Sequence, residues 1–479
     1  LDGDQLMIKE AVGKIKEVFS KSDAIQDLEE LDFDIDVNDT PENLNKKFDR
    51  AVGLATELHA KKIQRWDDDF KLLKGKHLEL SCFKNRKQVD KYKSDTIMNM
   101  IFPSYRNIVG LMTDPKPEPT IWPAPSRDPA VFQKNQEHAE HLFEMIDQRW
   151  AEVAMELEIP ILLFQGLTLA DSFLKYYWDY YRDDVAVEIC SPYDLMIYPN
   201  VKIKESDFTI QTSERSFTWL KGRYPDNIEE IKKAFANKKD DLFKLQELWT
   251  DSATLVRVGK TILEAKTNPF FEFRSEEEQK TEWEAKGIKG EFHPVKNYFQ
   301  FPQKPYIQFS TFKIDNGTYS GVSQTEQLEK PQISFNQRKR QIDDNANVVG
   351  NAKMLYDGNM LPPTEAEKHS GRPGEKINIP GMADKPGKAV DFHSGEPLPT
   401  YIPNDMNHTQ GIIDDIVGQH EVTRGAEGKT KTKGEAELLR QADQTVVRLL
   451  SRSLDVTLGE LVEGWVQLMK MFYDEPKYV

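Results

Sequence analysis

Three features of the chain predict a mixed α+β protein, mainly α. Leu439, Ala442, Val446, Leu450, Leu454, Leu458, Leu461, Trp465, Leu468 and Phe472 recur at three- or four-residue intervals, the signature of one stripe on a long helix. Helical patterns also cover Pro41 to Leu73 and Asp128 to Gly166, and a second long helix, a polar one, is read over Ser323 to Ala352. Between 172 and 312 the pattern changes to short runs rich in aromatic and β-branched residues, which is how strands read.

Residues 1–40 combine a helical pattern (Leu6, Ile8, Val12, Ile15, Val18, Phe19) with an acidic stretch from Asp27 to Asp39, and read as a peripheral arm. After the helix from Pro41, prolines at 103, 115, 117, 119, 123, 125 and 129 interrupt the chain, because proline lacks a backbone donor and ends helices. Ser126 or Asp128 would cap the next helix, which carries Phe132, Ala139, Leu142, Ile146 and Trp150 on one face and is expected to break at Pro160. Ser172–Tyr181, Val185–Ile189, Tyr193–Pro199 and Phe208–Thr212 then predict one small sheet. Asn227 to Trp249 predicts helix, and Thr254–Ala265 and Tyr298–Phe312 predict strands around a charged helical insert from Ser275 to Lys286. Turns at Asn316-Gly317 and Ser320-Gly321 lead into the helix from Ser323. That helix is poor in apolar residues and rich in Asn and Gln, so it is expected to bridge solvent or to pack against copies of itself. Gly and Pro concentrate in 356–405, which reads as loops and short strands.

Composition narrows the function. With 479 residues the chain has room for about three domains. A net charge of −16 excludes a generally basic nucleic-acid binder, though not one with a local basic element. Two cysteines, Cys82 and Cys190, are too few for a disulfide framework and fit a reducing compartment. No apolar run is long enough to span a membrane, so a soluble protein is expected, and no leader is read ahead of Leu1.

Catalytic patterns are absent or incomplete. Gly259-Lys260-Thr261 and Gly428-Lys429-Thr430 resemble the end of a phosphate-binding loop, but the glycine it requires five residues earlier is Thr254 in one case and Thr423 in the other. His138 and His141 lack the four-residue spacing that puts two ligands on one helix face. Asp67-Asp68-Asp69, Asp183-Asp184, Asp343-Asp344 and Asp414-Asp415 read as solvated charge, and no Gly-x-Ser-x-Gly elbow occurs. The expectation is a protein that is not an enzyme, with no cofactor, metal or catalytic residue. One segment stands apart. Thr423 to Gly434 holds Arg424, Lys429, Lys431 and Lys433 with three glycines and no large apolar residue, as either a presented loop or a solvated linker.

Four patterns occur in a fixed order. An apolar helix with Ile101, Tyr105, Ile108 and Leu111 leads to Asp114-Pro115-Lys116-Pro117 and Ile121-Trp122-Pro123-Ala124-Pro125. Leu163 to Thr168 precedes Phe173–Trp178, Val187 to Tyr193 and Tyr198-Pro199. Tyr319-Ser320-Gly321 precedes a helix with Gln332, Phe335-Asn336 and Arg338. Last, a helix with Ile416, Val417 and His420 precedes the basic segment, Ala436 and Arg440. In this order the chain resembles the portal (head-to-tail connector) proteins of tailed bacteriophages.

The resemblance implies a portal-protein fold of wing, stem, clip and crown regions, assembled as a dodecamer ring around a channel. It implies a place at the portal vertex of the virion after assembly in the host cytoplasm, with double-stranded DNA, terminase, capsid or scaffold protein and tail adaptor proteins as partners and no membrane. The wing would be 1–225 and 353–423, the lower stem 226–269, the clip 270–320, the stem helix 321–352, the tunnel loop 424–434 and a long helix toward the crown 435–479. Arg424, Lys429, Thr430, Lys431, Thr432 and Lys433 would face DNA, and Arg338, Lys339, Arg340, Asp343 and Asp344 would pair between subunits in the stem. The chain departs from the pattern in having little sequence after the long helix, so a helical crown extension is expected to be absent or short. Alternatives are another phage structural protein, such as an adaptor or tail component, and a nucleic-acid enzyme with an unusual nucleotide site near Gly428.

Overall fold

The computed structural model describes residues 35–83, 93–114, 116–234, 242–285, 294, 296–313, 318–350, 353–356, 363–366, 390–393, 396–419 and 433–473. Helix α1 spans Pro41–Leu73, opened by Thr40, whose hydroxyl accepts from Asn43 N, and by Pro41 in the first turn. Helix α2 is Ile101–Thr113, and α3 is Pro129–Glu152, capped as expected by Asp128, whose carboxylate accepts from Ala130 N at 2.9 Å. The break in the next helical stretch comes earlier than Pro160. Ala154 adopts a left-handed conformation (φ 54°) and α4 starts afresh at Met155–Leu169, so Pro160 lies near the start of a new helix.

Between 171 and 310 the strands form two sheets where the sequence suggested one. In the first, β1 (Asp171–Asp179) is central, flanked antiparallel by β2 (Asp184–Cys190) and by β8 (Tyr306–Ser310). The second is an antiparallel meander of β3 (Leu195–Tyr198), β4 (Phe208–Ser216), β5 (Leu242–Thr250), β6 (Ala253–Val258) and β7 (Thr261–Thr267). Short helices α5 (Phe217–Arg223) and α6 (Ile228–Ala234) connect β4 to β5.

Among the described residues the helix expected over 227–249 is α6 in its first part and strand β5 in its second. Leu242, Leu245, Leu248 and Trp249 imitate helical spacing, but β4 and β6 are in place to pair the backbone on both sides, and Ile210, Leu248 and Leu255 line up in one cross-strand row. This sheet crosses the expected boundary at 225.

The charged insert forms α7 (Glu276–Ala285), and the long polar helix is α8 (Gln324–Gly350). A hairpin of β9 (Lys353–Tyr356) and β10 (Val390–His393), with α9 (Pro363–Ala366) between them in sequence, precedes α10 (Tyr401–Val417) and α11 (Lys433–Phe472). At 40 residues α11 is about 60 Å long.

The main core lies where α2, α4, α8, α10 and α11 meet the first sheet, with Leu450, Leu454, Leu461, Trp465 and Leu468 of α11 fully buried. Gly166 lets α4 touch the sheet, since a Cβ there would lie 2.5 Å from the Phe309 ring. A second core joins Leu44, Phe48, Ala51 and Ala55 of α1 to Phe208, Ile210, Leu248 and Leu255. Polar contacts also join the two sheets, beside the apolar core that Leu195, Ile197 and Trp249 share with the first. Lys175 of β1 donates to Glu247 of β5 at 2.6 Å, Trp249 Nε1 donates to the same carboxylate at 3.3 Å, and the Tyr306 hydroxyl donates to Gln211 at 3.0 Å.

Candidate functional site

Helix α8 starts from a clamped turn. Asp171, at the first position of β1 and 1% exposed, accepts hydrogen bonds from Ser310 Oγ (2.6 Å), Ser320 Oγ (2.7 Å), Gln308 Nε2 (2.9 Å) and Gly321 N (3.3 Å). Burial pushes its pKa up and these donors oppose that shift. Gln308 also donates to the Tyr319 carbonyl at 2.7 Å. Gly321 is required here, because a Cβ would stand 2.8 Å from the Phe312 carbonyl oxygen. From α1, Lys62 places its ammonium 3.8 Å from the Tyr319 ring centroid and donates to Asn200 Oδ1 at 3.1 Å. Burial pulls the Lys62 pKa down to about 8, against the attraction of Asp171.

The first half of α8 corrects the expectation that so polar a helix buries little within its own chain. Gln324, Gln332 and Asn336 are buried beside Leu328 and Phe335. Gln332 Oε1 accepts from Met100 N (2.9 Å) and its Nε2 donates to Met98 O (2.8 Å), while Asn336 Oδ1 accepts from Met98 N (2.9 Å). The two amides, four residues apart on one face, satisfy an extended backbone as a neighbouring strand would. Gln324 Nε2 donates to Ile416 O at 2.8 Å and so ties α8 to α10.

Asn336 also donates to His77 Nδ1 at 2.6 Å. His77 Nε2 meets Leu72 O at 2.8 Å, and that carbonyl can only accept, which assigns the proton to Nε2. Burial, with the Arg340 charge adding to it, holds the His77 pKa below the usual histidine value.

The five residues expected to pair between subunits have partners within the single chain. Arg338 reaches Asp405 of α10 at 2.6 Å, Lys339 pairs with Asp343 at 2.6 Å, and Arg340 donates to Asn336 O at 3.1 Å. Asp344 accepts from Ser94 N at 2.5 Å and Asp343 from Ser94 Oγ at 3.4 Å.

The triplet Asp67-Asp68-Asp69 is likewise not simply solvated. Asp67 accepts from the Tyr193 hydroxyl at 3.0 Å, and Asp68, buried, accepts from Ser81 N at 3.0 Å. Asp69 is 1% exposed and lies 2.9 Å from Arg65, which also binds Glu329 of α8. Burial pushes the Asp69 pKa up to about 8, with Glu326 and Glu329 adding to the shift and Arg65 opposing it.

The native state therefore keeps a proton that the unfolded chain, with a carboxyl pKa of about 3.9, gives up. Stability is lost as pH rises from about 4 to about 8, by up to about 1.4 kcal/mol per pH unit. Asp69→Asn is expected to flatten that slope and to be more stable than the parent at pH 8.5, as read by urea unfolding at pH 6 and pH 8.5.

The basic segment lies between α10 and α11. Helix α10 ends on Gly418 in a left-handed cap (φ 69°), and buried Gln419 donates to Ser104 O of α2 at 3.3 Å, so the chain leaves from a fixed point. Arg424, Lys429, Thr430, Lys431 and Thr432 lie outside the described residues, and Lys433 opens α11. At the other end of α11, Phe472 stacks on Trp178 at 4.9 Å and the Tyr473 hydroxyl donates to Asp184 at 2.6 Å.

The other sequence candidates that fall on described residues are ordinary structure. Gly259-Lys260 is the two-residue turn of the β6–β7 hairpin, with Gly259 at φ 63°, and Lys260 pairs with Asp49. His138 and His141 are exposed on α3, and Gly428-Lys429-Thr430 falls outside the described residues. Among the described residues no cluster of His, Cys, Asp or Glu could hold a metal ion, and no helix is long and apolar enough to cross a membrane. No protein-family model and no curated protein matches the chain.

Proposed function

We propose that this chain is a portal-type subunit that assembles as a ring, with Arg424, Lys429, Lys431 and Lys433 contributing cations to a channel for double-stranded DNA. The observation that carries this reading is the cation-rich, glycine-rich segment between the pinned end of α10 and the 40-residue α11, in a chain whose net charge is −16.

Lys and Arg contacts to phosphate are independent of base sequence and weaken with salt. A few cations would centre a duplex that the acidic remainder repels, and such weak contacts let it slide. In this reading α8 is the stem helix and the segment from Phe270 to Ser320 the clip, available to a terminase motor and later to tail adaptors. Its place would be the portal vertex of a virion. No catalytic step is assigned to it.

Replacing Lys429, Lys431 and Lys433 together by Ala tests the reading. Duplex binding by the assembled protein should weaken, and log K should fall less steeply with log salt, by about 0.9 for each phosphate contact removed. Assembly should be unchanged. Unaltered DNA binding, or ATP hydrolysis by a monomer that Lys429→Ala abolishes, would contradict it.

A further inference from the structure

Helix α4 is apolar around its whole circumference but covered on one side only. Met155, Ile159, Leu162, Leu163 and Leu167 are buried, whereas Leu157 is 70% and Ile161 47% exposed. Helix α2 repeats the arrangement, with Ile101, Tyr105, Ile108 and Met112 inward and Phe102 and Leu111 each 46% exposed. The two helices run in opposite directions. Phe102 stacks on Phe164 at 6.1 Å at one end, and Lys116, just past α2, bonds Glu156 at the start of α4 at 2.7 Å at the other. Leu157, Ile161 and Phe164 lie four and three residues apart on one side of α4, and the stack on Phe164 sets Phe102 of α2 beside them, so these four residues form one continuous face. A helix that is hydrophobic all round belongs in an interior.

A second exposed stripe runs along α11. Leu449 (54% exposed) and Val456 (64% exposed) sit two turns apart with Arg452 between them and Glu463 beyond. We propose that the α2/α4 face is covered by a second copy of this chain, through the outer stripe of its α11.

Charge favours that occupant. Arg106, exposed on the same side of α2 as Phe102, has no ion-pair partner among the described residues, and the α11 stripe offers exposed Asp455 and Glu463. Glu158 edges the α4 side, where α11 offers Arg452. Exposed apolar faces of this kind mark interaction sites, and a standard interface buries about 800 Å² per partner. The two patches differ, so the contact is heterologous and repeats head to tail into a ring or filament. The inference rests on the ring reading for closure and not for the contact itself.

The test is made in the full chain with Cys82→Ser, which removes the exposed thiol and leaves only buried Cys190. Ile161→Cys with Val456→Cys should give a ladder of disulfide-linked chains on mild oxidation, and neither single variant should. Ile161→Asp should raise the concentration for half-assembly at least tenfold with an unchanged circular dichroism spectrum, and the milder Ile161→Ser should shift it the same way. Rings that neither crosslink nor weaken overturn this interface while leaving the ring reading intact. A parent protein that stays monomeric overturns both.

Discussion

Lys175→Met is expected to lower the unfolding free energy by about 3–5 kcal/mol, because it strands a buried carboxylate. Lys175 and Glu247 are 2.6 Å apart with side chains 8% and 15% exposed, and they join β1 of one sheet to β5 of the other. Burial alone would raise the Glu247 pKa, yet Lys175 beside it holds it below the usual value. The same pairing raises Lys175 against its own burial. Without the lysine, Glu247 keeps only the Trp249 donor, with Gln211 beside it in its own sheet and Tyr306 across the sheet interface. The double variant Lys175→Met/Glu247→Leu removes both charges and should recover most of the loss. Urea denaturation at constant m-value measures both, and equal losses in the single and double variants would show that the pair itself contributes net stability.

Asp171→Ala is the second large effect expected. It leaves Ser310, Ser320, Gln308 and Gly321 N without their common acceptor, and each buried orphan donor costs about 1–3 kcal/mol before water or rearrangement offsets it. A net loss of about 3 kcal/mol or more is expected. The damage should be local. Hydrogen exchange should quicken from Gly321 into the first turns of α8, while the β3–β7 sheet keeps its protection. Asp171→Asn should lie between, since its amide retains one acceptor but turns an NH₂ toward donors. Uniform loss of protection across both sheets would mean that Asp171 supports the whole fold and not the α8 junction.

The elements that could be read from sequence are those whose information is local. Thr40-Pro41 and Asp128-Pro129 mark helix starts by side-chain capping, and the stripe from Leu439 to Phe472 fixes α11 by periodicity alone. Strand β5 was misread because Leu242, Leu245 and Trp249 carry helical spacing, and only its neighbours β4 and β6 decide otherwise. The separation into two sheets depends on β8, more than 130 residues from β1 in sequence.

The same limit applied to the buried charges. Nothing beside Asp171, Lys175 or Asp69 in sequence distinguishes them from surface residues, since their partners come from distant segments. Gln332 and Asn336 did carry a signal: four residues apart, they interleave with Leu328 and Phe335 on a face that is buried and not solvated. The basic segment was legible as composition, and its flanks are now fixed at Gln419 and at the start of α11.

The central claim is assembly into a ring, and negative-stain images of the purified full chain test it most directly. Closed rings with a central hole and about twelve subunits are the outcome that the proposed portal-type assembly predicts. A monodisperse monomer at high protein concentration would contradict the account.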